Sequence, residues 1–369
     1  MTTDKKTPLI ILTAGGTGGH VYPADALAQE LSKRRYKLVL VTDKRGLHNY
    51  RGKLGEIKNY QVWSGALVGK SKWFKIKSLC KTIFGILQSM IIIIRNHPRC
   101  VVGFGGYASF PCSVAALLLG VPLIIHEQNS VMSRTNRFLA KYASAVATSF
   151  PNTKYAPRNE RCIHSGMPVR PEIRALFERS YTMPADDEKF NLLVLGGSQG
   201  AKIFSEVIPQ AIKLLTPEQQ KKIHIIQQCR QEDIAELQQA YTSTACSTTI
   251  SHFFENMPEL YAKCHLIISR AGASSVSEIA TAGIPSILVP LPTAADDHQT
   301  LNAAELKNRK GGIVISQSAF NADKLFEVLN NFLVTPQKLK DFAANTKKFA
   351  KINANKRLAN IVECLSKRG

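Results

Sequence analysis

The sequence predicts an α/β protein made of two doubly wound, Rossmann-like domains. Three observations carry that prediction. Short apolar runs alternate with helical patterns along the 369 residues, the order that yields a parallel sheet covered on both faces. The unit strand, glycine loop, helix occurs twice. Leu9-Ile10-Ile11-Leu12 leads into Gly15-Gly16-Thr17-Gly18-Gly19-His20, and Asn191-Leu192-Leu193-Val194-Leu195 leads into Gly196-Gly197-Ser198-Gln199-Gly200. The length also suits two domains of roughly 150 residues each.

The elements follow in order. After the first glycine loop a helical pattern runs from Ala24 to Leu31, and strands are expected at Leu38 to Val41, Cys100 to Val102, Pro122 to Ile125 and Ala145 to Ala147. The restart near Phe190 brings further strands at His224 to Ile226, Leu266 to Ile268 and Ser286 to Val289. Between the halves, Gly166-Met167-Pro168-Val169-Arg170-Pro171 has the composition of a hinge. We therefore place a first domain at 1–166 and a second at 167–349. A basic helical stretch at 350–369, apolar at Phe349, Ile352, Leu358 and Ile361, is expected to pack back onto the first domain.

Composition narrows the function. Lys and Arg number 48 against 27 acidic residues, a net charge of +21, which points to an anionic partner: nucleic acid, acidic lipid or a phosphorylated substrate. Aromatic residues are only 8% and no RNA-binding module's motif is present, so nucleic acid is not expected. The eight cysteines show neither C-x-x-C nor zinc-ligand spacing and read as reduced thiols of a cytosolic protein. Leu9 to Leu12 is too short for a signal-peptide core. The apolar run Ile83 to Ile94 is broken by Gln88 and Ser89, and a spanning helix needs about 20 apolar residues, so no spanning segment is expected. The basic charge concentrates at 70–81, where lysines 70, 72, 75, 77 and 81 flank apolar residues at 73, 76, 80, 83, 84 and 87 in helical spacing. A core-facing helix with a solvated basic face is one reading; docking to an anionic membrane, with Lys72, Trp73, Phe74, Lys75 and Ile76 at the surface, is the other.

Several polar clusters sit where strands end, the edge at which open α/β sheets bind ligands. The first glycine loop lets backbone approach a ligand and exposes helix N–H groups to an anion. A dinucleotide fingerprint beginning at Gly16 would need glycine at position 21, which is Val21, so NAD is disfavoured even though Asp43 sits where a ribose-binding acid would fall. His20 beside the loop is a candidate general base. Gly103-Phe104-Gly105-Gly106-Tyr107-Ala108-Ser109 is a second anion cradle or a close-packed turn. His126-Glu127-Gln128-Asn129 places four polar side chains at a strand end, an expensive arrangement unless something is bound. In the second half, Ala271-Gly272-Ala273-Ser274-Ser275-Val276-Ser277-Glu278 opens a helix with small residues, leaving its N–H groups open to phosphates, and Glu278 suits a ribose diol. Asp296-Asp297-His298-Gln299 is a helix cap or a sugar-binding cluster. It makes a poor metal site, and neither a metal nor a cofactor is expected.

Together these motifs resemble the bacterial UDP-N-acetylglucosamine–N-acetylmuramyl-(pentapeptide) pyrophosphoryl-undecaprenol N-acetylglucosaminyltransferases, the MurG family. AGGTGGHVYPADALA, GFGGYAS, IHEQN, SGMPVRPEI, LGGSQGA, SRAGASSVSEIATAG and DDHQTLNA occur in the family's order along the whole chain. The resemblance implies a GT-B fold, two Rossmann-like domains facing each other across a cleft. It implies transfer of GlcNAc from UDP-GlcNAc, with inversion, to the 4-hydroxyl of the muramyl sugar of lipid I, giving lipid II at the cytoplasmic face of the inner membrane. Other cell-wall synthesis or division proteins are implied as partners. Carried onto this chain, Ala273, Ser274, Ser275, Val276 and Ser277 cradle the donor, Glu278 binds its ribose and Phe254 meets the uracil. Gln299, with His298, holds the GlcNAc hydroxyls, while Ser198 and Arg170 meet the diphosphate. Thr17, Gly18, Gly19 and Asn129 contribute from the first domain, and Gly105, Gly106 and Tyr107 line the acceptor pocket. His20 is the expected base and Glu127 the alternative. Two positions depart from the family pattern: Met167 replaces a common Asn, and Ser274 a Leu or Gly. A UDP-GlcNAc epimerase of the same fold is the rival enzyme, and a basic protein that merely binds nucleic acid or membrane is the non-enzymatic rival.

Overall fold

A computed structural model describes residues 7–44, 52–65, 72–185, 187–197 and 200–367. Ser198, Gln199 and Lys70 lie outside the described residues, as does the side chain of Lys72. The chain divides into two compact units, Met1–Arg170 with Asn353–Gly369, and Pro171–Ile352.

In the first unit β1 (Leu9–Thr13) is followed by α1 (Gly18–Lys33), β2 (Lys37–Thr42), α2 (Lys53–Glu56), β3 (Lys58–Gln61) and α3 (Lys72–Asn96). Then come β4 (Cys100–Gly103), α4 (Phe110–Leu118), β5 (Leu123–Glu127), α5 (Arg134–Leu139), β6 (Ala145–Thr148) and β7 (Cys162–His164). All strands pair in parallel, in the order β3-β2-β1-β4-β5-β6-β7. The order reverses between β1 and β4, so their carboxyl ends flank the switch-point crevice of the sheet. Alternate residues of β1 serve opposite layers: Ile10 and Leu12 pack with Leu27 and Leu31 of α1, while Ile11 packs with Ile92 and Ile93 of α3.

The second unit repeats the scheme. It holds α6 (Pro171–Arg174), β8 (Phe190–Leu195), α7 (Lys202–Lys213), α8 (Pro217–Lys221), β9 (Ile223–Gln228), α9 (Ile234–Tyr241), β10 (Ser247–Ser251) and α10 (Met257–Lys263). It continues with β11 (Leu266–Ser269), α11 (Ala273–Ala282), β12 (Ser286–Leu288), α12 (His298–Asn308), β13 (Gly312–Val314), α13 (Ala322–Val334) and α14 (Gln337–Lys347). Its sheet runs β10-β9-β8-β11-β12-β13, all parallel, with the switch between β8 and β11.

Three details differ from the sequence reading. The helix after the first glycine loop begins at Gly18 and not near Ala24, because Thr17 is extended and serves as N-cap, so His20 lies in the first helical turn. The compact units part after Arg170, not after Gly166. Met167 and Val169 are buried, and the Val169 amide donates to Oδ1 of Asn355 while Asn355 Nδ2 donates back to the Val169 carbonyl. The basic C-terminal stretch is also interrupted. Phe349 lies under the guanidinium of Arg309 in the second unit, whereas α15 (Ala354–Ser366) buries Leu358, Ala359, Ile361 and Val362 with Leu27 and Leu31 of α1.

As far as Ser89 helix α3 is inverted in polarity, while its last turns bury Ile92 and Ile93 in the core. Ser78, Thr82 and Ser89 face inward, and the hydroxyls of Thr82 and Ser89 donate to the carbonyls of Ser78 and Gly85 one turn back. Gly85 lets the chain at Trp63 approach so closely that a Cβ would meet the Trp63 carbonyl oxygen at 1.9 Å. The large apolar side chains point outward: Trp73 is 79% exposed, and Phe74, Ile76, Leu79, Ile83, Phe84, Leu87, Ile91 and Ile94 are each about half exposed. The stripe is thus on the surface and is not the face of a core helix. By length and composition Trp73–Asn96 is apolar enough to cross a membrane, where the interrupted run had suggested otherwise. The span comes from counting Trp73 to Thr82 with the later run, while the inward face is packed on protein.

Candidate functional site

In the first unit the carboxyl ends of β1, β4 and β5 bring together the loops that the motifs had singled out. Gly105 and Gly106 follow β4 with φ of +79° and +78°, a region that costs other residues roughly 1–2 kcal/mol. Space makes the same demand, since a Cβ at Gly106 would stand 3.4 Å from Nε2 of His20 and one at Gly105 would stand 3.3 Å from the Asn136 amide. A Cβ at Gly15 would stand 3.5 Å from Cδ2 of the same imidazole. The histidine ring is therefore lined by two backbone turns and partly exposed, and Tyr107, next to Gly106 in sequence, is exposed. Thr17 and Gly19 are exposed, and nothing stands within 4 Å of a Cβ at Gly19, so packing does not account for that glycine.

Strand β5 delivers the polar cluster. Glu127, 1% exposed, has both oxygens engaged. Oε1 accepts from the Asn129 amide at 3.0 Å, and Oε2 accepts from the Ser133 amide at 2.9 Å and Asn136 Nδ2 at 2.8 Å. This carboxylate ties the loop after β5 to the start of α5, and both of its oxygens already accept hydrogen bonds from those segments. Gln128 spans the two imidazoles: its Oε1 lies 3.2 Å from Nδ1 of His20 and its Nε2 lies 3.2 Å from Nδ1 of His126. Burial lowers the pKa of His20, opposed first by the negative charge of Glu127 and then by the hydrogen bonds to Gln128 and the Phe104 carbonyl. His126, fully enclosed, is pushed by burial down to about 4. Both rings are neutral near pH 7, the state a base requires.

Arg170 stacks 4.5 Å over the ring of Tyr22 in α1. It belongs to the first unit, although the reading from sequence assigned it to the second domain.

In the second unit the site is made of backbone. Gly272 caps α11 without any side-chain hydrogen bond, and the first intrahelical bond is Val276 N–H to the Gly272 carbonyl. The N–H groups of Ala273, Ser274 and Ser275 thus point out of the helix end, where the helix dipole favours an anion. Among the side chains predicted here, the Ser274 hydroxyl is buried with no hydrogen-bond partner, so that residue offers its N–H and not its hydroxyl. Val276 and Ser277 are buried as well. Glu278, 7% exposed, sits in the second turn, and the Tyr261 hydroxyl donates to its Oε2 at 3.3 Å. Gln299 has its Oε1 committed to the amides of Ala271 at 3.1 Å and Leu291 at 3.0 Å, which leaves its Nε2 as the group to offer a sugar hydroxyl. His298 Nδ1 bonds the Ala295 carbonyl in its own turn, and Phe254 is partly exposed in the loop after β10. Following β8, Gly197 and Gly200 have φ of +82° and +70°, and a Cβ at Gly196 would strike the Ala201 nitrogen at 2.4 Å.

The reading from sequence missed Gln128, Asn136 and Tyr261. Gln128 stood inside a cluster already flagged as costly. Asn136 and Tyr261 gave no signal, since each acts through a contact, 9 and 17 residues away in the chain, that no sequence motif marks.

Comparison with known proteins extends this picture. The N-terminal domain of glycosyltransferase family 28 matches residues 10–148 and the C-terminal domain of that family matches residues 191–358. A UDP-N-acetylglucosamine--N-acetylmuramyl-(pentapeptide) pyrophosphoryl-undecaprenol N-acetylglucosamine transferase of Paramagnetospirillum magneticum is 44% identical over 98% of this chain and 97% of its own. Its namesake from Rhodospirillum rubrum is 42% identical over 96% and 91%. Among solved structures, MurG of Acinetobacter baumannii superposes with a TM-score of 0.77 at 31% identity, covering 97% of this chain and 99% of its own. A UDP-GlcNAc 2-epimerase from Neisseria meningitidis bound to UDP-GlcNAc reaches 0.66 at 15% identity, covering 96% and 99%, a likeness of fold alone. With two Rossmann-like units of GT-B type and relatives this similar over nearly its whole length, the chain belongs to glycosyltransferase family 28, and within it to the UDP-N-acetylglucosamine--N-acetylmuramyl-(pentapeptide) pyrophosphoryl-undecaprenol N-acetylglucosamine transferases.

Proposed function

We propose that this enzyme transfers N-acetylglucosamine from UDP-GlcNAc to the muramyl 4-hydroxyl of lipid I, forming lipid II for peptidoglycan. The observation that carries the reading is the 44% identity to a transferase of that name over 98% of the chain. The chemistry is a single displacement. The acceptor oxygen attacks the anomeric carbon, its proton passes to His20, and the bond to the diphosphate breaks with the electron pair leaving on UDP. Negative charge grows on the diphosphate, and the N–H groups at the start of α11 answer it, with Arg170 and Ser198 as further diphosphate ligands. Glu278 takes the ribose hydroxyls, Phe254 the uracil and the Nε2 of Gln299 a GlcNAc hydroxyl. Thr17, Gly18, Gly19 and Asn129 serve the donor from the first unit, and Gly105, Gly106 and Tyr107 the acceptor. His20 is favoured over Glu127 as base because the lone pairs of Glu127 are occupied by Asn129, Ser133 and Asn136.

UDP-GlcNAc labelled in its sugar and offered with a short-chain lipid I analogue tests this. Transfer to the analogue is expected. Interconversion of the donor sugar without acceptor would instead favour an epimerase, whose support here is the fold likeness alone.

The enzyme docks on the anionic cytoplasmic face of the membrane through α3. Each large apolar side chain withdrawn from water contributes roughly 1.5–3 kcal/mol, and each nearby lysine about 1 kcal/mol. The inward Ser78, Thr82 and Ser89 argue for a helix that lies on the surface with its other face on protein. Replacing Trp73, Phe74 and Ile76 by Ser should abolish co-sedimentation with anionic vesicles; undiminished binding would refute the docking.

A further inference from the structure

Gln128 is 2% exposed at the end of β5 and has no part in the roles assigned above. Its Nε2 donates to the Phe104 carbonyl at 2.9 Å and to the His126 carbonyl at 3.1 Å. Carbonyl oxygens only accept, so the amide nitrogen must occupy that side and the amide oxygen the other. The remaining neighbour on the nitrogen's side, Nδ1 of His126, is an acceptor too, because that ring is neutral and its single proton sits on Nε2, which faces the Gly166 carbonyl. The oxygen lies 3.2 Å from Nδ1 of His20. An amide oxygen cannot donate, so this bond requires a proton on Nδ1 of His20. In the neutral ring Nε2 is then bare, and it lies beside Gly106, where a Cβ would crowd it at 3.4 Å. A neutral imidazole free in water prefers the opposite tautomer, with the proton on Nε2.

We propose that Gln128 is a positioning residue for the transfer: its amide, oriented by two backbone carbonyls, holds His20 as the Nδ1–H tautomer with Nε2 ready to receive the acceptor hydroxyl's proton. The inference rests on His20 being the base. When the proton arrives at Nε2 the ring becomes an imidazolium, and the bond from Nδ1–H to the amide oxygen becomes charge-assisted and stronger. Gln128 thereby stabilises the protonated ring that forms as the hydroxyl attacks. The titratable groups acting on His20 are Glu127 and His126.

The test reads the tautomer directly. In the full-length enzyme with 15N-labelled histidine, long-range 1H–15N correlation above the titration of His20, with His20→Gln to assign the signal, should place the proton on Nδ1. A proton on Nε2 overturns the proposal whatever the base. Gln128→Leu should shift His20 toward the other tautomer and lower kcat roughly 10- to 100-fold, less than the loss of the base itself, with KM for UDP-GlcNAc unchanged. Wild-type kcat in Gln128→Leu would overturn it. Full turnover in His20→Ala would instead defeat the reading of the base, an outcome separable from the tautomer measurement.

Discussion

The two units share one strand order around their switch points but use it for different chemistry. At the crevice of the first, side chains dominate: two imidazoles bridged by the Gln128 amide, and beside them the Glu127 carboxylate bonded to the Asn136 amide. At the crevice of the second, backbone dominates: a helix start flanked by Gly, Ala and Ser, with its one nearby carboxylate in the second turn. On the roles proposed for them, the difference follows from what each site must do. Moving a proton takes a titratable group whose environment sets its pKa, and that takes burial and charged neighbours. Meeting a diphosphate takes several fixed N–H dipoles without bulk in front of them. The same scaffold supplies both because the loops, and not the sheet, carry the chemistry.

The contrast is open to attack by substitution. The largest effect is expected from His20→Ala, which should lower kcat by roughly 10²- to 10⁴-fold while leaving the dissociation constant of UDP-GlcNAc unchanged; a loss confined to donor affinity would erase the distinction between the units. Glu278→Ala should do the reverse, weakening UDP-GlcNAc about 10- to 100-fold, as expected for hydrogen bonds to a charged group worth roughly 1.5–3 kcal/mol, with a smaller change in kcat at saturating donor. Glu127→Ala should chiefly cost stability, about 3 kcal/mol, since it strips a buried donor on Asn136 and part-buried donors on Asn129 and Ser133 of their acceptor; denaturant unfolding measures this, and an unchanged midpoint with lost turnover would restore Glu127 as a base. The smallest effect concerns pH. Burial lowers the His20 pKa below 6.5, so the base stays deprotonated as pH falls through 6.5 and the acid limb of kcat/KM should lie lower. Glu127 raises that pKa, so Glu127→Gln should move the limb further down; an upward shift would contradict the sign.

Legibility from sequence varied with burial. The central strands β1, β4, β5, β8 and β11 are covered on both faces, and their apolar runs declared them. The edge strands escaped notice: Lys58-Asn59-Tyr60-Gln61 of β3 and Ser247-Thr248-Thr249-Ile250-Ser251 of β10 are polar because one side meets water. The apolar stripe of α3 was visible, but its periodicity could not say whether it faced the core or solvent. Ser78, Thr82, Gly85 and Ser89 settled that by filling the narrow inward face.

Sequence alone determined the doubly wound class, the glycine loops at the strand ends and the titratable residues beside them, because those depend on local backbone geometry and on residue type. Tertiary structure decided which oxygens of Glu127 are already committed, which nitrogen of His20 faces Gln128, and that Arg170 stacks on Tyr22. The last two depend on partners brought together from distant positions in the chain, the first on how the loop after β5 folds back on its own strand end, and hydrogen-bond direction exists only once the donors and acceptors stand within about 3 Å of each other.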